Sequence, residues 1–328
     1  MKNSRVTELD ALRGIAVLLV VFYHYFYRYA ELYNPEVSVG VARYGHLGVE
    51  LFFLISGFVI FYSLLHAKSL QLFWVGRVAR IIPAYWFSVV LIYAATSMVG
   101  LEGRTVSGND FVANLSLLQE YLGFKHVDGV YWSLTIEITF YFWVSLLMIR
   151  YRQYAQYLFL VYPLILLAVQ FFDVDMSRKL EKLFLVEYGS LFLAGICYSN
   201  LHQENMGKRS LFVLFVCMLI NTFHYVGVEL MIVLFFHFLM LIVALGKASF
   251  LSIKPLVYIG GLSYSIYLIH QNIGYILLNN LSVLTLPYWL LTAVVSSVVV
   301  LGSHFMVEYV EKPSRNLITQ RFGKKHAA

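Results

Sequence analysis

The chain is poor in charged residues. Only 13% of its 328 residues are Asp, Glu, Lys or Arg, whereas a soluble domain carries roughly 25%. Hydrophobic residues make up 60% of the chain, and its mean hydropathy is +0.73. No polar interval is longer than about thirty residues. This composition excludes a sizeable soluble domain and predicts a polytopic membrane protein.

Cysteine and a cleavable leader are also lacking. The two cysteines, Cys197 and Cys217, both fall in apolar runs, which predicts small core residues and excludes a disulfide framework. We expect no metal site and no permanently bound cofactor. The N-terminus is short and basic, but no small-residue cleavage site follows it, so we interpret the first apolar run as an uncleaved span.

Apolar runs of membrane-spanning length recur along the chain. They lie at residues 9–30, 47–66, 81–99, 131–149, 156–172, 183–200, 210–225, 228–246, 256–278 and 286–307. The predicted fold class is therefore an all-α integral membrane protein with about ten transmembrane helices.

The distribution of Lys and Arg predicts the orientation. With the N-terminus inside, the inner segments hold sixteen of these residues and the outer segments seven, and Arg13 lies in the first span. Positive residues favour the cytoplasmic side, so both termini are predicted to be cytoplasmic. The same rule explains the net charge of +6 without a nucleic-acid partner.

Three titratable side chains from three predicted helices share one depth. His24 lies about 22 Å and His270 about 21 Å above the cytoplasmic starts of their helices, and Glu137 lies about 9 Å below the outer surface. In a hydrocarbon core about 30 Å thick these depths nearly coincide. Ionisable groups are costly in lipid, so the layer predicts a reaction or translocation centre.

Three arginines lie near the inner surface. Arg77 and Arg80 are three residues apart, so they share a helix face, and Arg13 enters from the same side with Asp10 placed to pair with it. Guanidinium groups bind phosphate bidentately, which predicts a site for a phosphorylated ligand. The alternative is that Arg77 and Arg80 are ordinary membrane-surface anchors.

An anion site about 15–20 Å along the helices from a His/Glu layer suits a coenzyme A thioester, which is phosphorylated at one end and reactive at the other. His24 is the candidate general base, because imidazole titrates near neutral pH. Glu137 would orient that imidazole or bind a sugar. Direct transfer and a covalent acyl-enzyme both stay open.

Six sequence blocks then occur in a fixed order. They are residues 8–16 with His24, then 52–58, 77–85, 131–137, 263–270 and 311–313. In these blocks the chain resembles the acyltransferase family 3 membrane proteins, which include bacterial O-antigen and exopolysaccharide O-acetylases. The resemblance covers most of the chain.

The resemblance implies roles for several residues. In the family the Arg and His of the first helix are essential, which matches Arg13 and His24, and the paired arginines match Arg77 and Arg80. The Trp-Ser-x-x-x-Glu block supplies Glu137. The supporting residues would be Asp10, Ser56, Trp132, Ser133, Tyr264, Tyr267 and His270.

The function implied is transfer of an acyl group, acetyl first among the candidates, from cytoplasmic acetyl-CoA to a hydroxyl of a cell-surface or lipid-linked glycan. The location implied is the bacterial inner membrane. Residues 1–328 would form one transmembrane acyltransferase domain. The C-terminal SGNH hydrolase-like domain of some family members is expected to be absent, because the chain stops about twenty residues after the last span.

Some of these residues also have a structural interpretation. Ser56 with Gly57 suits close helix packing, Trp132 suits the interfacial aromatic belt, and His270 suits an interfacial position. For the whole chain, the rivals are a proton-coupled transporter or lipid-linked glycan flippase, a membrane scaffold, and another membrane acyltransferase fold. His237 is predicted to be a hydrogen-bonded core histidine.

Overall fold

The computed structural model describes residues 6–150 and 155–323, and within these ranges every regular element is a helix. Lys2, Arg5, Arg152, Lys324 and Lys325, which contribute to the predicted orientation, lie outside the described residues. The cytoplasmic location of both termini stays a prediction.

The described α-helices are numbered in chain order. The first seven are α1 (Thr7–Tyr23), α2 (Tyr29–Leu32), α3 (Gly48–Leu65), α4 (Leu70–Val99), α5 (Gly108–Asn114), α6 (Gln119–Leu122) and α7 (Trp132–Arg150). The others are α8 (Ala155–Phe171), α9 (Arg178–Leu183), α10 (Gly189–His202), α11 (Lys208–His224), α12 (Gly227–Ala244), α13 (Lys254–Leu281), α14 (Tyr288–Met306) and α15 (Lys312–Gly323).

Within the described ranges, six helical segments are long and apolar enough to cross a membrane. They are Thr7–Leu32, Gly40–Leu65, Leu70–Val99, Gly129–Leu147, Gly227–Ala244 and Tyr288–Phe322. These segments correspond to the first four, the eighth and the tenth of the predicted apolar runs.

The other four predicted runs are also helical, as α8, α10, α11 and α13, but they do not meet the same criterion. The helix α10 has 14 residues and is about 21 Å long, shorter than a hydrocarbon core of about 30 Å. The helix α13 has 28 residues but contains a cluster of polar side chains between residues 263 and 272. The number of ten spanning helices therefore stays a prediction.

The chain divides into two compact units. The first unit comprises residues 1–16, 47–70 and 136–260, and the second comprises residues 17–46, 71–135 and 261–328.

Glycines bring helix backbones into contact in the first unit. A Cβ on Gly57 of α3 would overlap the carbonyl oxygen of Phe192 on α10, and one on Gly195 would overlap that of Leu54. Small residues allow this close approach. The close-packing interpretation is therefore confirmed for Gly57, the neighbour of Ser56.

A second glycine contact in the first unit joins the start of α1 to the start of α13. A Cβ on Gly14 would overlap the carbonyl oxygen of Leu256, and one on Gly260 would overlap that of Asp10. The segment carrying Asp10 and Arg13 is thus held against α13 through backbone contact.

The second unit has an aromatic core. Tyr25, Tyr29 and Tyr275 are buried, and they pack with Leu278 and Val295 in one cluster. The rings of Tyr29 and Tyr275 are 5.6 Å apart between centroids, within the range of favourable aromatic pairs. This cluster packs the segment after α1 against α13 and α14.

Adjacent glycines on α13 provide a matched test of the backbone contact. We predict that Gly260→Ala lowers the thermal unfolding midpoint of the detergent-purified protein, because its Cβ overlaps the Asp10 carbonyl. Gly261 has no atom within 4 Å of an added Cβ, so Gly261→Ala should leave the midpoint unchanged or raise it, since Ala is favoured over Gly in helices by up to about 1 kcal/mol. Equal midpoints for the two variants would contradict the contact.

Candidate functional site

The two predicted site histidines of the second unit are in contact. After α1 the chain continues as a π-helical turn, His24–Arg28, whose first residue is His24. His24 Nδ1 lies 2.8 Å from the Val20 carbonyl oxygen and 3.1 Å from His270 Nε2. The ring centroids are 4.8 Å apart, in an edge-to-face arrangement. Single π-helical turns are frequent at functional sites, and here one brings an imidazole onto α13.

Tyr25 reinforces this contact. Its hydroxyl donates to the His270 carbonyl oxygen over 2.9 Å, and its own carbonyl oxygen accepts from the Tyr288 hydroxyl. Its ring lies against Gly274, where a Cβ would overlap it. Two consecutive residues of the π-helical turn therefore bond to one residue of α13. The His270 side chain is completely buried among these partners, and its position relative to the membrane interface stays a prediction.

The start of α7 is bonded to the same part of α13. Ser133 Oγ lies 2.7 Å from Tyr267 Oη, and the Tyr267 hydroxyl also donates to the Val130 carbonyl oxygen over 3.1 Å. The Tyr131 hydroxyl donates to the Leu268 carbonyl oxygen. Trp132, the first residue of α7, is half-buried. Ser133 and Tyr267 thus support the position of α13 beside His270.

Arg77 and Arg80 lie on α4, half-buried, as predicted from their spacing. The Arg77 guanidinium lies over the Phe73 ring, 5.5 Å from its centroid. Arg80 is within electrostatic reach of the Glu311 carboxylate, which also accepts a hydrogen bond from Ser265 on α13. The blocks at residues 77–85, 263–270 and 311–313 are therefore neighbours within the second unit.

Tyr264 connects α13 to α4. Its hydroxyl donates to the carbonyl oxygen of Ile81, the residue after Arg80, over 2.9 Å. Tyr264 is thus a structural contact of the arginine-bearing helix.

The first unit contains the predicted Arg13 pair. Arg13 Nη1 lies 3.2 Å from Asp10 Oδ1, and both side chains are largely buried. The i, i+3 ion pair is confirmed. It balances the charge of a guanidinium that would otherwise be costly inside a membrane.

The carboxylate of Glu137 has two hydroxyl donors in the first unit. Ser56 Oγ donates to Glu137 Oε1 over 2.7 Å, and the Tyr141 hydroxyl donates to the same oxygen over 2.5 Å. Ser56 therefore does more than allow close packing. Tyr141 was missed from the sequence, although its i, i+4 spacing from Glu137 was a readable signal. The predicted association of Glu137 with His24 stays a prediction.

The first unit also contains a cavity of about 410 Å³. It is bordered mainly by aromatic and aliphatic side chains, among them Phe140, Trp143, Phe159, Phe184, Phe192 and Ile196. Tyr162 and Asn200 are polar members of its described lining.

Asp128 bonds to the backbone of two segments near the histidine pair, one before α7 and one within α13. Its carboxylate accepts from the backbone N–H of Val130 over 3.3 Å and from that of Asn272 over 3.1 Å. The Asn272 side-chain amide donates to the Val127 carbonyl oxygen. Burial raises the pKa of Asp128 to about 6, which the two backbone donors oppose. The loop that precedes α7 is thus bonded to Asn272, two residues after His270.

Comparison with known proteins gives a family and several relatives. The model of the family described as "Acyltransferase domain" matches residues 6–307. O-acetyltransferase OatA of Staphylococcus aureus is 27% identical over 316 residues, which cover 81% of this chain and 50% of that protein. Peptidoglycan O-acetyltransferase OatA of Listeria monocytogenes is 28% identical over 163 residues, which cover 44% of this chain and 24% of that protein.

The alignments thus span half or less of the length of these relatives. No solved structure matches the chain.

The raised pKa of Asp128 predicts a pH dependence of stability. Because the folded chain binds this proton more tightly than the unfolded chain, the contribution is complete below about pH 4 and is lost as the pH rises through about 6. The pKa difference corresponds to about 3 kcal/mol at most. We predict that the thermal midpoint of the wild type, relative to that of Asp128→Asn, decreases between pH 4 and pH 7. A midpoint difference that stays constant over this range would contradict the assignment.

Proposed function

This chain belongs to the acyltransferase family whose model it matches over residues 6–307, and on that premise we propose that it is a membrane-bound O-acetyltransferase. The names of its relatives support O-acetyl transfer, and the family resemblance read from the six blocks is confirmed. We propose acyl-CoA, with acetyl as the acyl group, as the donor. The acceptor is a hydroxyl of a cell-surface or lipid-linked glycan.

The observation that carries the proposal is the placement of His24. Its imidazole is buried in a segment of membrane-spanning character, and its Nδ1 is held by a backbone carbonyl and a second imidazole. A neutral imidazole so oriented can accept a proton through its other nitrogen. His24 is therefore the proposed general base for the acceptor hydroxyl. A direct transfer needs no other nucleophile.

The donor site proposed in the same unit is the pair Arg77 and Arg80. The two residues are three apart on α4 and so share one helix face, a spacing that suits the phosphates of coenzyme A. The cation–π contact with Phe73 limits the conformations of Arg77, so less entropy is lost on binding. Arg13 is proposed as a further acyl-CoA-binding residue on the strength of the family resemblance.

Glu137 is proposed to bind the acceptor glycan. The orienting partners of His24 are already present in the second unit, so that role does not require Glu137. Ser56 and Tyr141 both donate to one Glu137 oxygen, which leaves the other as an acceptor for a sugar hydroxyl.

Release of coenzyme A tests the proposed activity. In liposomes supplied with acetyl-CoA and a glycan acceptor, we predict that the wild type releases free thiol and acetylates the glycan. His24→Ala should reduce both by at least about 100-fold, the usual contribution of a general base, without lowering the thermal midpoint much.

The control for this experiment is His66→Ala, which removes an exposed histidine and should leave the rate unchanged. Normal acetylation by His24→Ala would overturn the catalytic assignment. Movement of the glycan across the membrane without thiol release would instead support the flippase alternative.

Binding of the donor tests the arginine pair. We predict that Arg77→Ala and Arg80→Ala each weaken coenzyme A binding about tenfold or more in calorimetry, because each removes charge-assisted bonds to phosphate. Binding of acetylpantetheine, which has no phosphate, should be unaffected. Arg178→Ala, at an exposed position on α9, is the control. Unchanged coenzyme A binding in the paired-arginine variants would exclude the phosphate role.

A further inference from the structure

We propose that His270 is a positioning residue: its Nε2 and the Val20 carbonyl oxygen share the Nδ1 hydrogen of His24, so that Nε2 of His24 is the atom that takes the proton. This inference deepens the proposed function and rests on it for the identity of the reaction, but the hydrogen-bond arrangement is observable without substrate.

The carbonyl of Val20 determines the proton on His24. A carbonyl oxygen can only accept, and the distance from His24 Nδ1 to the Val20 oxygen is 2.8 Å. Nδ1 must therefore carry hydrogen. In a neutral imidazole the other nitrogen then has the lone pair, so Nε2 of His24 is the basic atom.

The neighbours of His270 determine its own tautomer in the same way. Its Nδ1 lies 2.8 Å from the Tyr267 carbonyl oxygen and 3.2 Å from that of Ile266, so this nitrogen also carries hydrogen. His270 Nε2 therefore has a lone pair. It faces His24 Nδ1 at 3.1 Å and accepts a share of the same hydrogen.

The opposite tautomer does not satisfy these contacts. Hydrogen on Nε2 of His24 would place the Nδ1 lone pair against the Val20 carbonyl oxygen. The bond to His270 would then need hydrogen on His270 Nε2, in addition to the hydrogen that Tyr267 requires. A completely buried imidazolium would result, at a high desolvation cost. One arrangement therefore fits all the distances.

The buried His237 of the first unit provides a contrast. Its Nδ1 bonds to the Tyr198 hydroxyl at 3.0 Å and its Nε2 to the Asn221 amide at 2.9 Å, so both nitrogens are occupied and its predicted structural role is confirmed. In the part of the chain that the structure describes, His24 Nε2 makes no hydrogen bond to a protein atom. His24 also keeps 8% exposure, whereas His270 has none.

The chemical step follows from this arrangement. The acceptor hydroxyl oxygen bonds to the thioester carbonyl carbon while its proton moves to His24 Nε2. The carbon–sulfur bond then breaks, and the departing thiolate takes the proton back from Nε2. Between these events His24 is an imidazolium, whose Nδ1–H is stabilised by the two acceptors, Val20 and His270.

The hydrogen bond of Tyr25 to the α13 backbone holds the His24 segment beside His270. Because the Tyr25 hydroxyl bonds to the carbonyl of His270 itself, the residue after His24 and the residue that orients it are tied together. Displacement of the His24–Tyr25 segment from α13 would break both bonds.

The first arm of the test is nitrogen NMR of the full-length protein in nanodiscs, with ¹⁵N-histidine and His24→Ala for assignment. The expected result is a His24 resonance pair typical of the Nδ1–H tautomer, with an unprotonated Nε2. Protonated Nε2 on His24 at neutral pH would overturn the proposal. This arm needs neither a substrate nor a His270 variant, so it stands even where the proposed reaction fails.

The second arm compares His270→Gln with His270→Leu by acetyl transfer. The side-chain oxygen of Gln lies about as far from the backbone as Nε2 of His, and it can accept the hydrogen of His24 Nδ1. Leu has no acceptor. We expect His270→Leu to lower kcat at least about tenfold with an unchanged KM for acetyl-CoA, and His270→Gln to restore most of kcat. Equal kcat values for the two variants would overturn the positioning role, and so would an effect confined to KM.

Discussion

The second unit depends on hydrogen bonds that satisfy the polar side chains of α13. An unpaired polar group in a hydrocarbon environment costs several kcal/mol, so each polar residue of such a helix needs a partner. Between residues 263 and 272 the partners come from distant segments of the second unit. The pairs are His270 with His24, Tyr267 with Ser133, Ser265 with Glu311, and the Asn272 side-chain amide with the Val127 carbonyl oxygen. Residues from sequence blocks that lie far apart along the chain are thus hydrogen-bond partners in the structure.

In the first unit, glycines lie beside two of the polar residues of the predicted site. Arg13 precedes Gly14, and Ser56 precedes Gly57, and both glycines bring their helix into backbone contact with a neighbour. Because the helix backbones touch at such a glycine, the polar side chain beside it lies close to the neighbouring helix. The hydrogen bond from Ser56 to Glu137 forms next to the backbone contact of Gly57. These contacts give a physical reason for the Arg-Gly and Ser-Gly dipeptides in the sequence.

Local features of both fold and site could be predicted from the sequence. Apolar runs predicted the helices, and i, i+3 spacing predicted the Asp10–Arg13 pair, because these features depend on residues within one turn of each other. The capping box of Ser107 with Asp110 at the start of α5 is another feature of this local kind. The shortness of α10 was not predictable, because the apolar run extends beyond the residues that are helical.

Contacts between distant residues could not be predicted. His24 and His270 are 246 residues apart, and depth along a helix does not define the side of the helix on which a residue lies. The π-helical turn at His24 changes that side and has no sequence signature. The contact between His270 and His24 could therefore not be predicted from the sequence.

The most direct test of this account is the ¹⁵N–¹⁵N scalar coupling across the hydrogen bond between the two imidazoles, measured in histidine-labelled protein in lipid. We expect a cross-peak that joins Nδ1 of His24 to Nε2 of His270, and its loss in His270→Gln. Two fully resolved rings with no coupling between them would show that the two imidazoles do not share this hydrogen.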